Sequence, residues 1–182
     1  MWPHAQSAAK PTVLSVPRHF PVQPATQLLA PFHRLTQSIR ATVGLPESHW
    51  RRLYLPVLYN YAELSQRLPA SESHHHAEIG GLLRHGLETM LEALMLRRKP
   101  LLPPGAPPEE IAQHQDLWTY AATTSALLHD VGKPITDLVV TYVLPGEGKS
   151  QAWQPLTTPL PAGAPVRGRV EPKRRCPRHA RS

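Results

Sequence analysis

The stretch Ala126-Leu127-Leu128-His129-Asp130-Val131-Gly132-Lys133 ends an apolar helical run in two adjacent ionisable residues, and its reading decides the fold. Upstream, Glu109 and Glu110 open a helix at the end where its dipole favours anions. Ile111, Trp118, Ala121, Ala122, Ser125 and Leu128 carry it to the His129-Asp130 pair, and Gly132 is expected to end it. Ionisable groups just after a buried apolar turn need a partner or an ion to offset desolvation. A lone His-Asp dipeptide is as a rule a surface or capping pair, so its weight depends on its surroundings.

Working outward, residues 79–98 read as a strong helix. Leu82, Leu83, Leu87, Met90, Leu91, Leu94 and Met95 are spaced for burial on it, and His85 lies among them. Arg97, Arg98 and Lys99 suit the negative end of its dipole. Leu68-Pro69-Ala70-Ser71 leads into the run His74-His75-His76, a loop before that helix. Further upstream, Leu28, Leu29, Phe32, Leu35 and Ile39 recur at helical spacing, and Gly44 closes the segment. A second helix from Pro46-Glu47-Ser48 carries Trp50, Leu53, Tyr54, Val57, Leu58, Tyr61 and Leu64, and Pro56 should kink or split it. Beyond Pro134 the run Asp137-Leu-Val-Val-Thr-Tyr-Val143, the turn Pro145-Gly146-Glu147-Gly148 and Ala152-Trp153 predict a short β-hairpin near residues 136–155. The expected fold is mainly α, a helical body with that hairpin attached.

The 182 residues allow one domain with flanks. The 22 prolines cluster before residue 31, between Pro100 and Pro108, and after Pro155. We therefore expect a disordered leader over 1–25, a folded domain over 26–160 and a basic, Pro/Arg-rich tail over 161–182. The formal charge of +7 belongs to the tail, because residues 163–182 hold seven basic groups and one acid. Such a tail grips phosphates by counterion release or is simply a solvated end. The single cysteine, Cys176, rules out an internal disulfide and fits a reducing compartment. No stretch reaches the roughly 20 apolar residues of a membrane span, and no secretory pattern opens the chain, so a cytoplasmic location is expected.

A metal site gathers several ligands about 2 Å from one ion. His85 on one helix and His129 and Asp130 at the end of another are candidates for a divalent ion if the two helices pack side by side. Adjacent residues on a helix point about 100° apart, so such an ion must lie near the cleft between the helices. Mixed His/Asp ligation suits Mn, Fe or Zn better than Mg or Ca. Taken singly, His85 reads equally as a satisfied core histidine and His74-His76 as a polar loop. None of Tyr54, Tyr59, Tyr61, Tyr120 and Tyr142 is marked as a nucleophile by its setting.

In order along the chain stand Leu68-Pro-Ala-Ser71, His74-His-His-Ala77, Gly80-Gly-Leu-Leu83, His85-Gly-Leu-Glu88 and Leu127-Leu-His-Asp-Val-Gly-Lys133. With Leu45-Pro46, Trp50, Leu53-Tyr54, Trp118 and Trp153-Gln-Pro155, they resemble the N-terminal domain of TraI-type relaxases of the MobH class, over roughly residues 28–161. Those proteins belong to integrating conjugative elements and some large plasmids. The resemblance implies an HD-hydrolase-like domain that processes DNA at a transfer origin, alongside other conjugation proteins. It implies His85, His129 and Asp130 as metal ligands. It further implies His74, His75 and His76 in ligation or proton transfer, and Lys133 on a phosphate or bound anion. HD-type sites recruit a later aspartate, for which Asp137 lies too close to the pair, so the chain is expected to be a truncated relaxase N-terminus with an incomplete site.

Three readings follow. The first is metal-dependent nicking of transfer-origin DNA. The second is an HD-type phosphohydrolase acting on nucleotides. The third is a non-catalytic remnant whose tail binds DNA without sequence preference.

Overall fold

The structure, a computed structural model, describes residues 20–70, 78–97, 102–144 and 146–170. Helix α1 (Ala25–Leu29) passes through a single 3₁₀ turn (Ala30–Phe32) into α2 (His33–Val43). Pro31 explains the tightened turn, since it removes an amide donor from the helical ladder. Gly44 ends α2 as the sequence predicts, at φ 71° with its amide on the Arg40 carbonyl.

Pro56 does not split the next helix, which takes a π turn just before it. Helix α3 (Glu47–His49) runs through a π-helical turn (Trp50–Tyr54) into α4 (Leu55–Ser65), and the Leu55 amide reaches back to the Trp50 carbonyl. The wider turn just before Pro56 absorbs the missing donor within an unbroken helical run. Its end is also different from expectation. Gln66 stops α4 at φ 43°, ahead of the Leu68-Pro69 signal. The buried Gln66 side chain donates to the Gln23 and Glu63 carbonyls and accepts the Gln23 amide, each at 3.0 Å. Those bonds offset an unfavourable backbone and pin the start of the chain to the end of α4.

Helix α5 (Gly81–Arg97) and α6 (Pro108–Leu128) form an antiparallel pair. At one end Arg97 donates to the Gln115 carbonyl at 3.3 Å; at the other His85 meets His129. One helical core joins Leu28, Ile39, Tyr54, Leu58, Tyr61, Leu83, Leu87, Met90, Leu94 and Leu127. Trp50 stacks on Tyr54 at 5.4 Å, and Tyr120 meets Tyr54 edge-on at 5.2 Å.

The expected apolar face of α6 is not the one the fold buries. Thr123 and Leu127 are buried, whereas Leu117, Trp118 and Leu128 are 63%, 40% and 37% exposed. Met95 of α5 and Leu53 of the π turn are exposed as well. Nor does Gly132 act as a left-handed cap. It lies at φ −76° and leads into the short helix α7 (Lys133–Thr136).

The hairpin forms from β2 (Leu138–Val143) and β3 (Ser150–Ala152), Tyr142 facing Gln151. It belongs to a larger antiparallel sheet that also contains β1 (Phe20–Pro21) and β4 (Pro165–Val170), in the order β1-β4-β2-β3. The folded body therefore takes in residues assigned by sequence to the leader and the tail. The inner face of the sheet presents Phe20, Leu138, Val140, Tyr142, Trp153 and Val166 to Leu68, Ala70 and Leu82, a second core. Trp153 is anchored there by its indole N–H, 2.7 Å from the Thr158 carbonyl. Leu82 faces this core while Leu83 faces the helical one, so the first turn of α5 stands at their junction. No helix among the described residues is long and apolar enough to cross a membrane.

Candidate metal centre

The junction of the two cores is where the predicted ligands meet. His85 projects from the first turns of α5, and His129 follows the last residue of the antiparallel α6, so two positions 44 apart in sequence become neighbours. Asp130 lies one residue further, in the turn that leads to α7.

His85 Nε2 is 3.1 Å from His129 Nε2 and 3.4 Å from Asp130 Oδ2, and His129 Nε2 is 3.3 Å from the same oxygen. An ion about 2.1 Å from three ligands separates them by about 3.0 Å at octahedral angles and about 3.4 Å at tetrahedral ones. The triangle lies within that range, so the spacing of the three side chains suits a divalent ion. They are the one group of three or more His, Cys, Asp or Glu among the described residues that meets this test.

The local chemistry prepares one ligand in particular. His129 Nδ1 is 2.7 Å from the Ala126 carbonyl, one of the acceptors that the end of α6 leaves without an intrahelical donor. A carbonyl only accepts, so Nδ1 carries the hydrogen and Nε2 presents its lone pair to the cluster. His85, His129 and Asp130 side chains are 31%, 40% and 18% exposed. The cluster thus lies on a partly open face rather than in the closed interior.

Beneath the cluster lies Tyr61. Its hydroxyl donates to the Leu82 carbonyl at 3.1 Å, and its ring occupies the space that a side chain at position 86 would need. A Cβ on Gly86 would come within 2.5 Å of the Tyr61 ring. Burial pushes the Tyr61 phenol up to about 12, with the charge of Asp130 acting in the same direction. Neither Tyr61 nor Gly86 is singled out as site support by the sequence. The Gly after His85 is the signal that would have found them.

Lys133, expected on a phosphate, is engaged within the chain. Its ammonium lies 2.6 Å from Asp130 Oδ2 and 3.0 Å from the Ala70 carbonyl. Asp137 stands apart from the ligands and accepts from the Thr136 hydroxyl at 3.0 Å. His74, His75 and His76 lie outside the described residues, as does most of the basic tail.

No curated protein matches the chain. The TraI_2 family model, described as "Putative helicase", matches residues 20–171. That span covers both cores together with His85, His129, Asp130 and Lys133, and by it the chain belongs to the TraI_2 family.

Proposed function

We propose that the chain is a TraI-type relaxase domain of the MobH class, with an HD-hydrolase-type helical body, acting on DNA at a transfer origin. The observation that carries this reading is the His85, His129 and Asp130 triangle, with edges of 3.1–3.4 Å. Manganese, iron or zinc matches its two nitrogens and one oxygen better than magnesium does. A divalent ion held there supplies Lewis-acid polarisation of a phosphoryl oxygen and a more acidic bound water. His129 presents its Nε2 because Ala126 holds its Nδ1 hydrogen, and Asp130 adds the negative charge that favours a cation. His74, His75 and His76 are assigned to further ligation or proton transfer. In support, the segment that carries them leaves the described chain at Ala70, whose carbonyl is bonded to the lysine that also holds Asp130.

The family description points to a motor, but the residues here favour the metal reading. Gly148-Lys149-Ser150 resembles the end of a phosphate-binding loop in sequence alone. It enters β3 of a hairpin, whereas such a loop needs a following helix whose N-terminus faces the phosphate.

The test is nicking of supercoiled DNA carrying a transfer origin by the manganese- or zinc-loaded full chain, beside Asp130→Asn. Origin-dependent nicking lost in the variant is expected. Intact DNA combined with turnover of mononucleotides or cyclic dinucleotides would transfer the site to the nucleotide phosphohydrolases.

A further inference from the structure

Lys133 has two acceptors on different parts of the fold. The Asp130 oxygen belongs to the candidate metal centre, and the Ala70 carbonyl belongs to the segment that packs on the sheet core. Gln66 is bonded to Gln23, and Leu68 and Ala70 are buried in the sheet core. The Gly80 amide donates to the Arg67 carbonyl and the Leu82 amide to the Leu68 carbonyl, both at 3.0 Å. Those bonds join the described residues on either side of positions 71–77. The lysine joins Ala70 to the turn between α6 and α7.

The carboxylate atom it uses is the one that completes the triangle. Asp130 Oδ2 is the oxygen 3.4 Å from His85 Nε2 and 3.3 Å from His129 Nε2, and Lys133 Nζ is 2.6 Å from it. An ammonium and a divalent ion drawn to one oxygen stand within a few ångströms and repel each other. Each therefore weakens the hold of the other.

We propose that Lys133 is a positioning residue that ties residues 68–70 to the metal centre and competes with the ion for Asp130 Oδ2, so that ion uptake loosens that segment. The coupling is reciprocal: whatever affinity the ammonium takes from the ion, the ion takes from the tether. The competition rests on the metal centre proposed above; the tether does not.

The experiment compares the full chain with Lys133→Met and Lys133→Arg in two measurements. Without metal, amide exchange at Gly80 and Leu82 should be about tenfold faster in Lys133→Met, with Leu87 and Met90 unchanged as reporters of the helical core. Lys133→Arg, which keeps a cationic donor, should restore most of the protection. Unchanged exchange at Gly80 and Leu82 in Lys133→Met overturns the tether. In manganese titrations Lys133→Met should bind about tenfold more tightly, and manganese should accelerate Gly80 and Leu82 exchange in the parent chain and in Lys133→Arg but not in Lys133→Met. Equal or weaker binding by Lys133→Met overturns the competition. Uptake by none of the three proteins defeats the metal centre and the competition together, while the metal-free exchange still decides the tether.

Discussion

His129 contributes to the cluster as a consequence of where α6 stops. One residue earlier, the side chain would lie inside the helical ladder; at the end of the helix it caps the Ala126 carbonyl and turns its other nitrogen outward. Asp130 supplies the negative charge beside two imidazoles that meet edge-on. Asp130→Asn should lower manganese or zinc affinity by at least about tenfold in calorimetric titration, with the melting temperature of the metal-free chain little changed. Gly86 is the second residue whose identity the site dictates. Alanine there gains about 1 kcal/mol of helix propensity, but overpacking against a buried ring costs about 1–3 kcal/mol. The Tyr61 ring is held by its bond to Leu82, so the clash decides the sign. Gly86→Ala should lower the denaturant midpoint.

Among the elements, α4 and α5 enclose a phenol that resists ionisation. Burial lifts the folded Tyr61 phenol to about 12, against about 10 in an unfolded chain, so its neutral form is the one the fold favours. The associated stability is complete below pH 10 and is lost as the pH rises from 10 to 12, by up to about 1.4 kcal/mol per pH unit. Burial also raises the Tyr54 phenol, which adds to the same trend. Tyr61→Phe should flatten the fall of the melting temperature above pH 10. Helix α6 gives the opposite kind of prediction. Because Leu117 and Leu128 face outward, Leu117→Gln with Leu128→Gln should change unfolding free energy by no more than about 0.5 kcal/mol in urea titration. A larger loss would place both residues in the core.

For the molecule as a whole, the sheet closes around the chain start. Phe20 is 3% exposed and faces Val166 in the register of β1 with β4. Phe20→Ala should cost about 3–5 kcal/mol, measured by thermal melting, because it empties part of the sheet core. A loss near zero would detach β1 from the folded body. The His85, His129 and Asp130 cluster lies where the helical core meets this sheet core, and Lys133 with Leu82 links the two.

Most of the helices, the hairpin and the three residues that meet as the His85, His129 and Asp130 cluster were legible in the linear chain. Leu82 to Leu94 carries its own period, Gly44 its own cap, and β-branched residues from Leu138 to Val143 their own strand. His85, His129 and Asp130 were legible as well, because ligand chemistry depends on side-chain type. What the chain did not announce depends on partners distant in sequence. Phe20 becomes a strand because Val166 offers it a ladder, and α6 buries Thr123 and Leu127 because α5 packs on that side. Gln66 holds its unfavourable backbone because Gln23 bonds it, and Lys133 turns inward because Ala70 lies within reach of its ammonium. Local propensity and periodicity act over a few residues, whereas these choices are settled by contacts 40 or more positions apart, as in the 43 between Gln23 and Gln66 and the 63 between Ala70 and Lys133.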